Sequence, residues 1–490
     1  MFEDVLFWLV VVTPLLVGAL AAWHALLFKR ESRAALGWIA VSLFFPMIGP
    51  LLYCLFGINR VETRARQYRG SRNKNRFIGF ERGGGVQPVV LPENEQASEL
   101  AGLKRAVLAV TGEPLLAGNS VAVLHNGEAA YPAMLQAIAK ARHSIFLATY
   151  IFETNETGRQ FIEALQNAVA RGVVVRVIVD GMGEKYAWPR AVPQLRRAGI
   201  KACRFNAPRL SPATWSVNLR NHRKILVIDE DMGFTGGMNI GDRHLVADPV
   251  VKNPVVDVHF LLRGSVVERL RRIFAIDWER TTGKALPELP RFEAPAAEQD
   301  RDYEVKAGLA SCRVIADGPD ENLDRLSLAI RAAVVSAKTQ VYIMTPYFLP
   351  SEALVGCLQA AALRGVDVTI VLPAKNNLPM VHWATRNMLW ELLYYGVKVL
   401  YQPPPFAHSK LVLVDDSYAL VGSANIDPRS LRLNYELGLE IYDAGVVEKL
   451  GQHFRDVAAV SKQVTLDEVD ERSLGQRTRD ALCWLFSPYL

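Results

Sequence analysis

The residues best suited to chemistry occur in two copies of one pattern, H-x-K-x4-D-x6-G-[GS]-x-N. The copies comprise His222, Lys224, Asp229, Gly237 and Asn239 in the first half, and His408, Lys410, Asp415, Ser423 and Asn425 in the second. On average residue usage, such a pattern begins by chance at roughly one position in ten million. Its recurrence predicts that the two copies are halves of one active site.

The spacing within each copy has a physical reason. Apolar residues 225–228 and 411–414 are typical of buried strands, on which side chains two positions apart point to one face. His222 and Lys224 should therefore project together. The turn that follows supplies a small residue, Gly237, and a polar one, Asn239, close to whatever His and Lys hold. The same holds for the second copy, and the pattern predicts a pocket for an anion.

Two imidazoles and two ammonium groups, without a metal-ligand pattern, suit attack on a phosphodiester. One neutral histidine would attack phosphorus and form a phosphohistidine, while the other would protonate the departing alkoxide. Lys224, Lys410, Asn239 and Asn425 would offset the charge that grows on the phosphoryl oxygens. We expect neither a metal nor another cofactor.

Each catalytic histidine also needs a group that fixes its tautomer, and one acidic residue follows each copy within an apolar strand. Asp257 lies 35 residues after His222, and Glu436 lies 28 after His408. A carboxylate that faces a sheet interior is costly unless paired, and a histidine is its natural partner. The alternative is an edge-strand carboxylate that faces water. Asp229 and Asp415 belong to the catalytic pattern, but their positions at strand ends favour bracing of the turn.

The remaining histidines lack such a pattern and are expected on the solvated surface: His24, His125, His143, His244, His259, His382 and His453. The five cysteines form no CxxC pair, which indicates reduced thiols rather than a disulfide framework or a zinc site. A formal charge of +6 suits an anionic partner, either lipid headgroup or nucleic acid.

Two apolar runs near the N-terminus, residues 5–28 and 34–56, contain no Asp, Glu, Lys or Arg. Each is long enough to cross a bilayer core of about 30 Å, so they predict a transmembrane hairpin. A cleavable signal peptide is the alternative for the first run, but Glu3 and Asp4 occupy what should be a positive region. Eight basic residues between Arg60 and Arg82 predict a cytoplasmic body, or attraction to an anionic leaflet.

Beyond residue 100 the chain repeats itself in strand and helix patterns. Arg171-Gly172-Val173 returns as Arg364-Gly365-Val366, and residues 199–201 return as residues 396–398. These offsets predict a duplicated α/β unit, and alternation of strand and helix predicts mostly parallel sheets packed together.

The predicted divisions are a hairpin (1–60), a basic connector (61–99), a first domain (100–282), a linker (283–304), a second domain (305–462) and a tail (463–490). The apolar end of the tail should pack on the body or dip into a bilayer interface, with packing favoured.

At these residues the chain resembles the phospholipase D superfamily, and more narrowly the membrane-anchored bacterial cardiolipin synthases. The resemblance covers nearly the whole chain and includes the segments LFGINR (55–60), YIF (150–152), NLRNHRK (218–224), GGMNIG (236–241), TPYF (345–348), VHW (381–383) and GSANID (422–427). It implies duplicated phospholipase D-like domains, and transfer of a phosphatidyl group between two phosphatidylglycerol molecules without ATP or metal. It also implies that His222 is the nucleophile and His408 the acid, although the symmetry leaves this order open.

Two departures from the family pattern concern headgroup or acceptor choice: the basic pair Arg243-His244, and Val255-Val256 before Asp257. Other functions remain open at this point. A hydrolase that makes phosphatidic acid would differ only in admitting water. A nuclease would gain nothing from a hairpin, and intact histidines argue against a non-catalytic membrane scaffold. The sequence predicts a bacterial plasma-membrane enzyme whose partners are phosphatidylglycerol, other anionic lipids and the bilayer.

Overall fold

The computed structural model of the 490-residue chain describes residue 8 and residues 12–29, 32–57, 99–207, 219–287, 309–319 and 323–487. The basic cluster predicted between Arg60 and Arg82 lies outside these residues, as does most of the predicted linker. The chain divides into two units, Met1–Arg72 and Asn73–Leu490.

Three helices make up the described part of the first unit: α1 (Thr13–Phe28), α2 (Ser32–Phe44) and α3 (Ile48–Leu52), followed by a π-helical turn, Tyr53–Gly57. Gly18 allows α1 to approach α2 closely, because a Cβ there would lie 2.7 Å from the Ser42 carbonyl oxygen. The predicted second span, residues 34–56, is not one helix. Pro46 follows α2, and a proline lacks the N–H and the space that a continuing helix needs. None of the helices that the structure describes has the length and apolar character needed to cross a bilayer.

The first half of the second unit alternates strands and helices. Its strands are β1 (Leu116–His125), β2 (Ser144–Thr149), β3 (Val174–Asp180), β4 (Lys201–Phe205), β5 (Ile225–Ile228), β6 (Met232–Gly236), β7 (Val255–Val256) and β8 (Val258–Arg263). Its helices are α4 (Ala101–Thr111), α5 (Asn126–Lys140), α6 (Glu156–Ala170), α7 (Ala191–Arg197) and α8 (Val266–Thr282), with 3-10 turns at Gly183–Tyr186 and Asp242–His244.

The second half repeats this order. Its strands are β9 (Ala310–Asp317), β10 (Gln340–Met344), β11 (Asp367–Pro373), β12 (Lys398–Gln402), β13 (Phe406–Ala407), β14 (Leu411–Val414), β15 (Tyr418–Gly422), β16 (Glu436–Tyr442) and β17 (Lys462–Gln463). Its helices are α9 (Arg325–Ser336), α10 (Glu352–Leu363), α11 (Pro379–Leu393), α12 (Pro428–Arg432), α13 (Ala444–Ala459), α14 (Leu466–Asp470) and α15 (Leu474–Leu485).

The main sheet confirms the predicted duplication. Its order over the described residues is β17-β12-β11-β10-β14-β15-β16-β9-β1-β8-β6-β5-β2-β3-β4. Read inwards from each end, leaving β17 aside, the two halves have the same sequence of strands. Instead of two sheets packed together, the halves form one continuous sheet, because β1 and β9 pair antiparallel at Leu116–Cys312 and Asn119–Ala310. Edge strands carry unpaired backbone groups, and this pairing satisfies them.

The expectation of mostly parallel sheets is wrong. Among the described pairings of this sheet, parallel neighbours occur only between β2, β3 and β4 and between β10, β11 and β12, where helices make the crossovers. The strands of the repeated pattern are joined by tight hairpins instead, and short hairpins produce antiparallel neighbours. Asp229 and Asp415 begin these hairpins with positive φ angles of 51° and 49°.

Helices cover both faces of the sheet and bury a core in each half. In the first half, α5 and α6 place Ile138, Phe161 and Leu165 against the strands. On the opposite face, Phe274 of α8 stacks on Phe146 of β2 with ring centroids 5.3 Å apart. Residues of the repeated pattern therefore lie on strands that packing fixes from both sides.

Candidate active site

Short backbone pairings between the halves build the site. The Leu219 N–H donates to the Leu433 carbonyl oxygen (3.0 Å), and the His222 N–H donates to the carbonyl oxygen of Tyr435 (2.9 Å). The Tyr435 N–H returns a bond to Arg220 (2.8 Å). Because Tyr435 directly precedes Glu436, this pairing places His222 of the first half beside Glu436 of the second.

The reciprocal pairing joins β13 to β7. Phe406 and Ala407 pair in parallel with Val255 and Val256, and the His408 N–H donates to the Val256 carbonyl oxygen (2.8 Å). His408 directly follows β13, and Asp257 directly follows β7. The second histidine is therefore held beside the carboxylate of the first half.

The outcome is a crosswise arrangement of histidines and carboxylates. His222 Nδ1 lies 3.1 Å from Glu436 Oε2, and His408 Nδ1 lies 2.7 Å from Asp257 Oδ2. Asp257 and Glu436 are 2% and 0% exposed, which excludes the alternative of edge-strand carboxylates that face water. Each histidine ring therefore contacts a carboxylate, as predicted. Each carboxylate comes from the half of the protein opposite its histidine.

These contacts select the tautomer of His222. Its Nδ1 also faces the carbonyl oxygen of Ser423 at 3.1 Å, and a carbonyl only accepts hydrogen bonds. Nδ1 therefore carries the proton, and Nε2 keeps a lone pair. Burial lowers the pKa of His222, although Glu436 opposes the shift, and burial together with Lys410 holds the pKa of His408 well below its usual value. Both rings are therefore neutral near pH 7.

The two lysines of the pattern also lie in the site. Lys224 Nζ donates to the carbonyl oxygen of His222 (2.7 Å), and Lys410 Nζ donates to that of His408. Burial lowers the pKa of Lys224 to about 7 and that of Lys410 to about 8, while neighbouring carboxylates oppose both shifts. An anion between these groups would stabilise their charged forms, so the site is suited to a phosphate.

Gly237 and Ser423, the paired small residues, contact the carboxylates. A Cβ at Gly237 would lie 2.3 Å from Asp257 Oδ1, so only glycine leaves room for that carboxylate. Ser423 Oγ donates to Glu436 Oε2 at 2.5 Å. Equivalent positions thus support the two groups that orient the rings.

Asn239 and Asn425 are 7% and 5% exposed and have protein partners beside the site. Asn239 Oδ1 accepts from the Ile151 N–H (3.1 Å), and Asn425 Nδ2 donates to Ser430 Oγ (3.2 Å). These bonds hold the segment after β2 and the helix α12. Phosphate binding by either asparagine stays a prediction.

Asp229 and Asp415 lie at the opposite ends of their strands from the histidines. Asp229 accepts from the backbone N–H groups of residues 142–144 at 2.7–2.8 Å, and Asp415 accepts from those of residues 338–340 at 2.8–3.2 Å. The four residues of a strand stand between each lysine and its aspartate, which separates the two Cα atoms by about 16 Å along an extended chain. These contacts brace the turns, as their positions at strand ends favoured, and a catalytic role for either aspartate stays a prediction.

Aromatic residues to which the sequence assigned no role lie near the rings, although Tyr150 and Tyr347 belong to the segments YIF and TPYF of the resemblance. The Tyr150 ring lies 5.0 Å from the His222 ring between centroids, and Lys224 Nζ lies 5.8 Å from the centroid of Tyr150. In the second half, the Phe406 ring lies 6.1 Å from His408 and 6.5 Å from Tyr347. The sequence signal for Tyr150 and Tyr347 was their recurrence after β2 and β10.

Two histidines expected on the surface are buried. His244 and His259 are 1% and 3% exposed, and both interact electrostatically with Asp257. Burial lowers their pKa values to about 3 and about 4, so both are neutral. Neither histidine belongs to a sequence pattern that could have predicted its burial beside Asp257.

Across the described residues, no group of three or more His, Cys, Asp or Glu side chains has the arrangement of a metal site.

Comparison with known proteins agrees with this geometry. The family model described as cardiolipin synthase, PLD-like domain, matches residues 134–278 and 330–458, and the model described as phospholipase D-nuclease N-terminal matches residues 17–57. The chain is 31% identical to cardiolipin synthase of Geobacillus kaustophilus, over 94% of this chain and 90% of that protein. It is 32% identical to the major cardiolipin synthase of Bacillus subtilis, over 94% and 95% of the two chains.

The fold also resembles that of a solved structure, phosphatidylserine synthase from Haemophilus influenzae, with a TM-score of 0.60 and 16% identity. That likeness covers 79% of this chain and 100% of the other. Two matched domains, relatives aligned over nearly their whole length and a shared fold accompany the paired histidines and lysines. The chain belongs to the cardiolipin synthase family of the phospholipase D superfamily.

Proposed function

We propose that the protein is a cardiolipin synthase that transfers a phosphatidyl group between two phosphatidylglycerol molecules, with release of glycerol. The observation that carries this proposal is the crosswise pair of rings. His222 and His408 come from different halves, are each held at Nδ1 by a buried carboxylate, and share their surroundings with Lys224 and Lys410. Membership of the family supports the same activity.

In the first step, His222 Nε2 attacks the phosphorus of one phosphatidylglycerol. The N–P bond forms as the bond between phosphorus and the glycerol oxygen breaks, and His408 gives its Nε2 proton to the departing glycerol oxygen. Burial keeps His408 neutral near pH 7, but the negative charge of a bound phosphate favours its protonated form. Lys224 and Lys410 offset the charge on the non-bridging oxygens.

In the second step, a terminal hydroxyl of the second phosphatidylglycerol replaces glycerol. Its proton passes to His408 Nε2 while its oxygen attacks phosphorus, and the N–P bond breaks. The products are cardiolipin and a free His222. Transfer instead of hydrolysis requires that the lipid hydroxyl reaches the phosphohistidine before water does.

The N-terminal unit supports a membrane location. Helices α1 and α2 expose large apolar side chains, among them Leu20, Trp23 and Leu26 at 60–63% and Leu36 at 68%. Exposed apolar surface of this extent fits lipid better than water. We propose that residues 1–60 form a membrane hairpin and that the body lies on the cytoplasmic side of a bacterial plasma membrane. The turn between α1 and α2 would then face away from the cytoplasm. An impermeant maleimide should therefore label Ser32→Cys in intact cells, and absence of labelling would contradict this orientation.

The product assay tests the proposed function. Detergent-solubilised protein given phosphatidylglycerol alone should form cardiolipin and glycerol in equal amounts, measured by mass spectrometry. Phosphatidic acid as the main product would identify a hydrolase instead. If neither cardiolipin nor phosphatidic acid forms, the non-catalytic membrane scaffold becomes the better hypothesis.

Trapping of the intermediate tests the assigned roles. After an acid quench, enzyme given phosphorus-labelled lipid should carry label on a histidine, and His222→Ala should abolish it. His408→Ala should slow the turnover of the label. His143→Ala, which changes an exposed histidine at the other end of the sheet, is the matched control. If label is lost only in His408→Ala, the roles of the two histidines are reversed.

A further inference from the structure

The loop after β3 carries exposed aromatic residues at the mouth of the site. Tyr186 and Trp188 are 64% and 86% exposed. The Tyr186 ring lies 6.4 Å from the ring of Tyr150, which in turn lies 5.0 Å from His222. The Tyr186 ring is therefore two ring contacts away from the proposed nucleophile, and Trp188 lies two residues further along the same loop.

The equivalent loop of the second half, after β11, also exposes apolar residues. Leu378, at the end of the loop, and Met380, in the first turn of α11, are 44% and 45% exposed. Their neighbour Asn377 accepts a hydrogen bond from the Tyr347 hydroxyl at 2.8 Å, and Tyr347 borders Phe406 beside His408. The duplication thus places an exposed apolar loop on each side of the mouth.

Helix α15 extends this apolar surface. Its Cys483 packs with Leu349 and Val381 in a small buried cluster that Tyr347 also contacts. Leu474 and Phe486, at the two ends of the helix, are 81% and 54% exposed. Together with Met380 they line a groove of about 720 Å³. We call the six residues Tyr186, Trp188, Leu378, Met380, Leu474 and Phe486 the apolar rim.

Within the three segments that carry the apolar rim the exposed charges are basic, whereas the exposed acidic residues Asp470 and Glu471 lie just before Leu474. Lys185, Lys375 and Arg477 are exposed in the three segments 183–190, 374–380 and 473–487. The acidic residues of these described segments, Glu184 and Asp480, are 1% and 0% exposed and are paired with arginines. A surface with apolar tips and basic flanks complements a bilayer with anionic headgroups.

We propose that the apolar rim is a docking surface that inserts into the headgroup and acyl boundary of an anionic phospholipid bilayer. Tyr and Trp are enriched at that depth because one part of each side chain is apolar and another is polar. Insertion on both sides of the mouth would hold the paired histidines at the level of lipid phosphates. This inference rests on the proposed function, because it identifies the surface from which the enzyme takes its lipid.

Depth measurement tests the docking. The full chain with Cys54→Ser and Cys357→Ser is given a single nitrobenzoxadiazole label on Trp188→Cys or Leu378→Cys and reconstituted in phosphatidylglycerol vesicles. The matched control is Val335→Cys, which is 54% exposed and precedes the turn held by Asp415 at the other end of the sheet. Doxyl groups on the lipid chains should quench the labels at 188 and 378 but not the label at 335. Lack of quenching at 188 and 378, as when protein covers the rim, would overturn the proposal, and so would equal quenching at all three positions.

A kinetic comparison separates this inference from the proposed function. In Trp188→Ser with Leu378→Ser, the rate of cardiolipin formation on vesicles should fall about tenfold more than the rate on mixed micelles, because two apolar anchors are lost. Val335→Ser should keep the parent ratio. Equal falls on vesicles and micelles would contradict docking even while cardiolipin formation stands. Quenched rim labels in a protein that makes no cardiolipin would instead overturn the proposed function.

Discussion

At the scale of single residues, the central feature is that each histidine depends on a carboxylate from the other half. Glu436 fixes the proton of His222 on Nδ1, and Asp257 has the same position beside His408. The lone pair on Nε2, which would attack phosphorus, therefore requires a group more than two hundred residues away in the sequence. Because each carboxylate contacts a different histidine, substitution of one carboxylate should affect the step that its own histidine performs.

Glu436→Gln should slow formation of the phosphohistidine, because an amide can donate to Nδ1 and favour the tautomer whose Nε2 lacks a lone pair. The expected loss in the rate of labelling is about 10²- to 10⁴-fold. Rapid-quench measurement of labelled enzyme checks it. Glu448→Gln, which changes an exposed glutamate of α13, should label at the parent rate. Normal labelling of Glu436→Gln would mean that this carboxylate does not set the tautomer.

The pH dependence of kcat/KM follows from the shifted pKa values. Burial lowers the pKa of Lys224 to about 7 and that of Lys410 to about 8, so the free enzyme loses positive charge as the pH rises through 7 to 8. Burial also lowers the pKa of His222, so the nucleophile stays neutral to below pH 6.5. His408 must carry a proton in the first step, and its pKa in the free enzyme lies well below the usual 6.5. We therefore expect kcat/KM to rise as the pH falls below 7, and to fall more steeply above about pH 7–8, where the lysines also lose their charge. An initial-rate series at low substrate measures it, and a limb near pH 10 would show that the lysines keep their ordinary pKa values.

The sequence predicted the site residues by type but not by partner. The doubled His–Lys spacing was enough to predict that His222, Lys224, His408 and Lys410 lie in one site. The sequence predicted two carboxylates that fix the tautomers without assigning each to a histidine, and the pairing of β13 with β7 places Asp257 beside His408. Contacts of this kind depend on how the halves pack, and no local pattern encodes that.

At the scale of elements, the hairpin that follows each lysine determines the geometry. Its strands are antiparallel, so the chain returns to the site at Gly237 and Ser423. The prediction of mostly parallel sheets failed here because alternation of strands and helices describes β2 to β4 and β10 to β12, but not these hairpins. Asp229 and Asp415 begin the turns, which explains why the pattern contains an acid that is remote from the rings.

Gly237→Ala should damage both the element and the site. Its Cβ would lie 2.3 Å from Asp257 Oδ1, so the carboxylate that holds His408 must shift. We expect loss of about 1–3 kcal/mol of stability and a large fall in turnover. Gly356→Ala is the matched control, since a Cβ there meets nothing within 4 Å in the middle of α10, and it should stabilise by about 0.5–1 kcal/mol. Melting temperature and turnover measure both, and an active, stable Gly237→Ala would contradict the close packing.

At the scale of the whole molecule, the two halves are joined by more than the pairing of β1 with β9. Arg223, between His222 and Lys224, is 2% exposed. Its Nη1 donates to Asp277 Oδ1 at 2.8 Å in its own half. Its Nε and Nη2 donate to the carbonyl oxygens of Glu436 and Asp317 in the other half, both at 3.0 Å. One guanidinium thus ties the backbone beside His222, the proposed nucleophile, to the backbone of Glu436.

Arg223→Met should therefore loosen the halves and disable the site together. The methionine keeps the apolar stem but leaves Asp277 without its main buried cation and two carbonyl oxygens without a donor, at an expected cost of about 3–5 kcal/mol. Arg223→Lys should recover little, because an ammonium cannot reproduce the planar fork that contacts three residues. Arg159→Met, which removes an exposed pair with Glu156, should cost about 0–1 kcal/mol. Thermal unfolding in detergent compares the three variants, with histidine labelling as the second measurement. If Arg223→Met has the same melting temperature as Arg159→Met and still forms the phosphohistidine, Arg223 does not hold the halves together and the shared sheet alone does so.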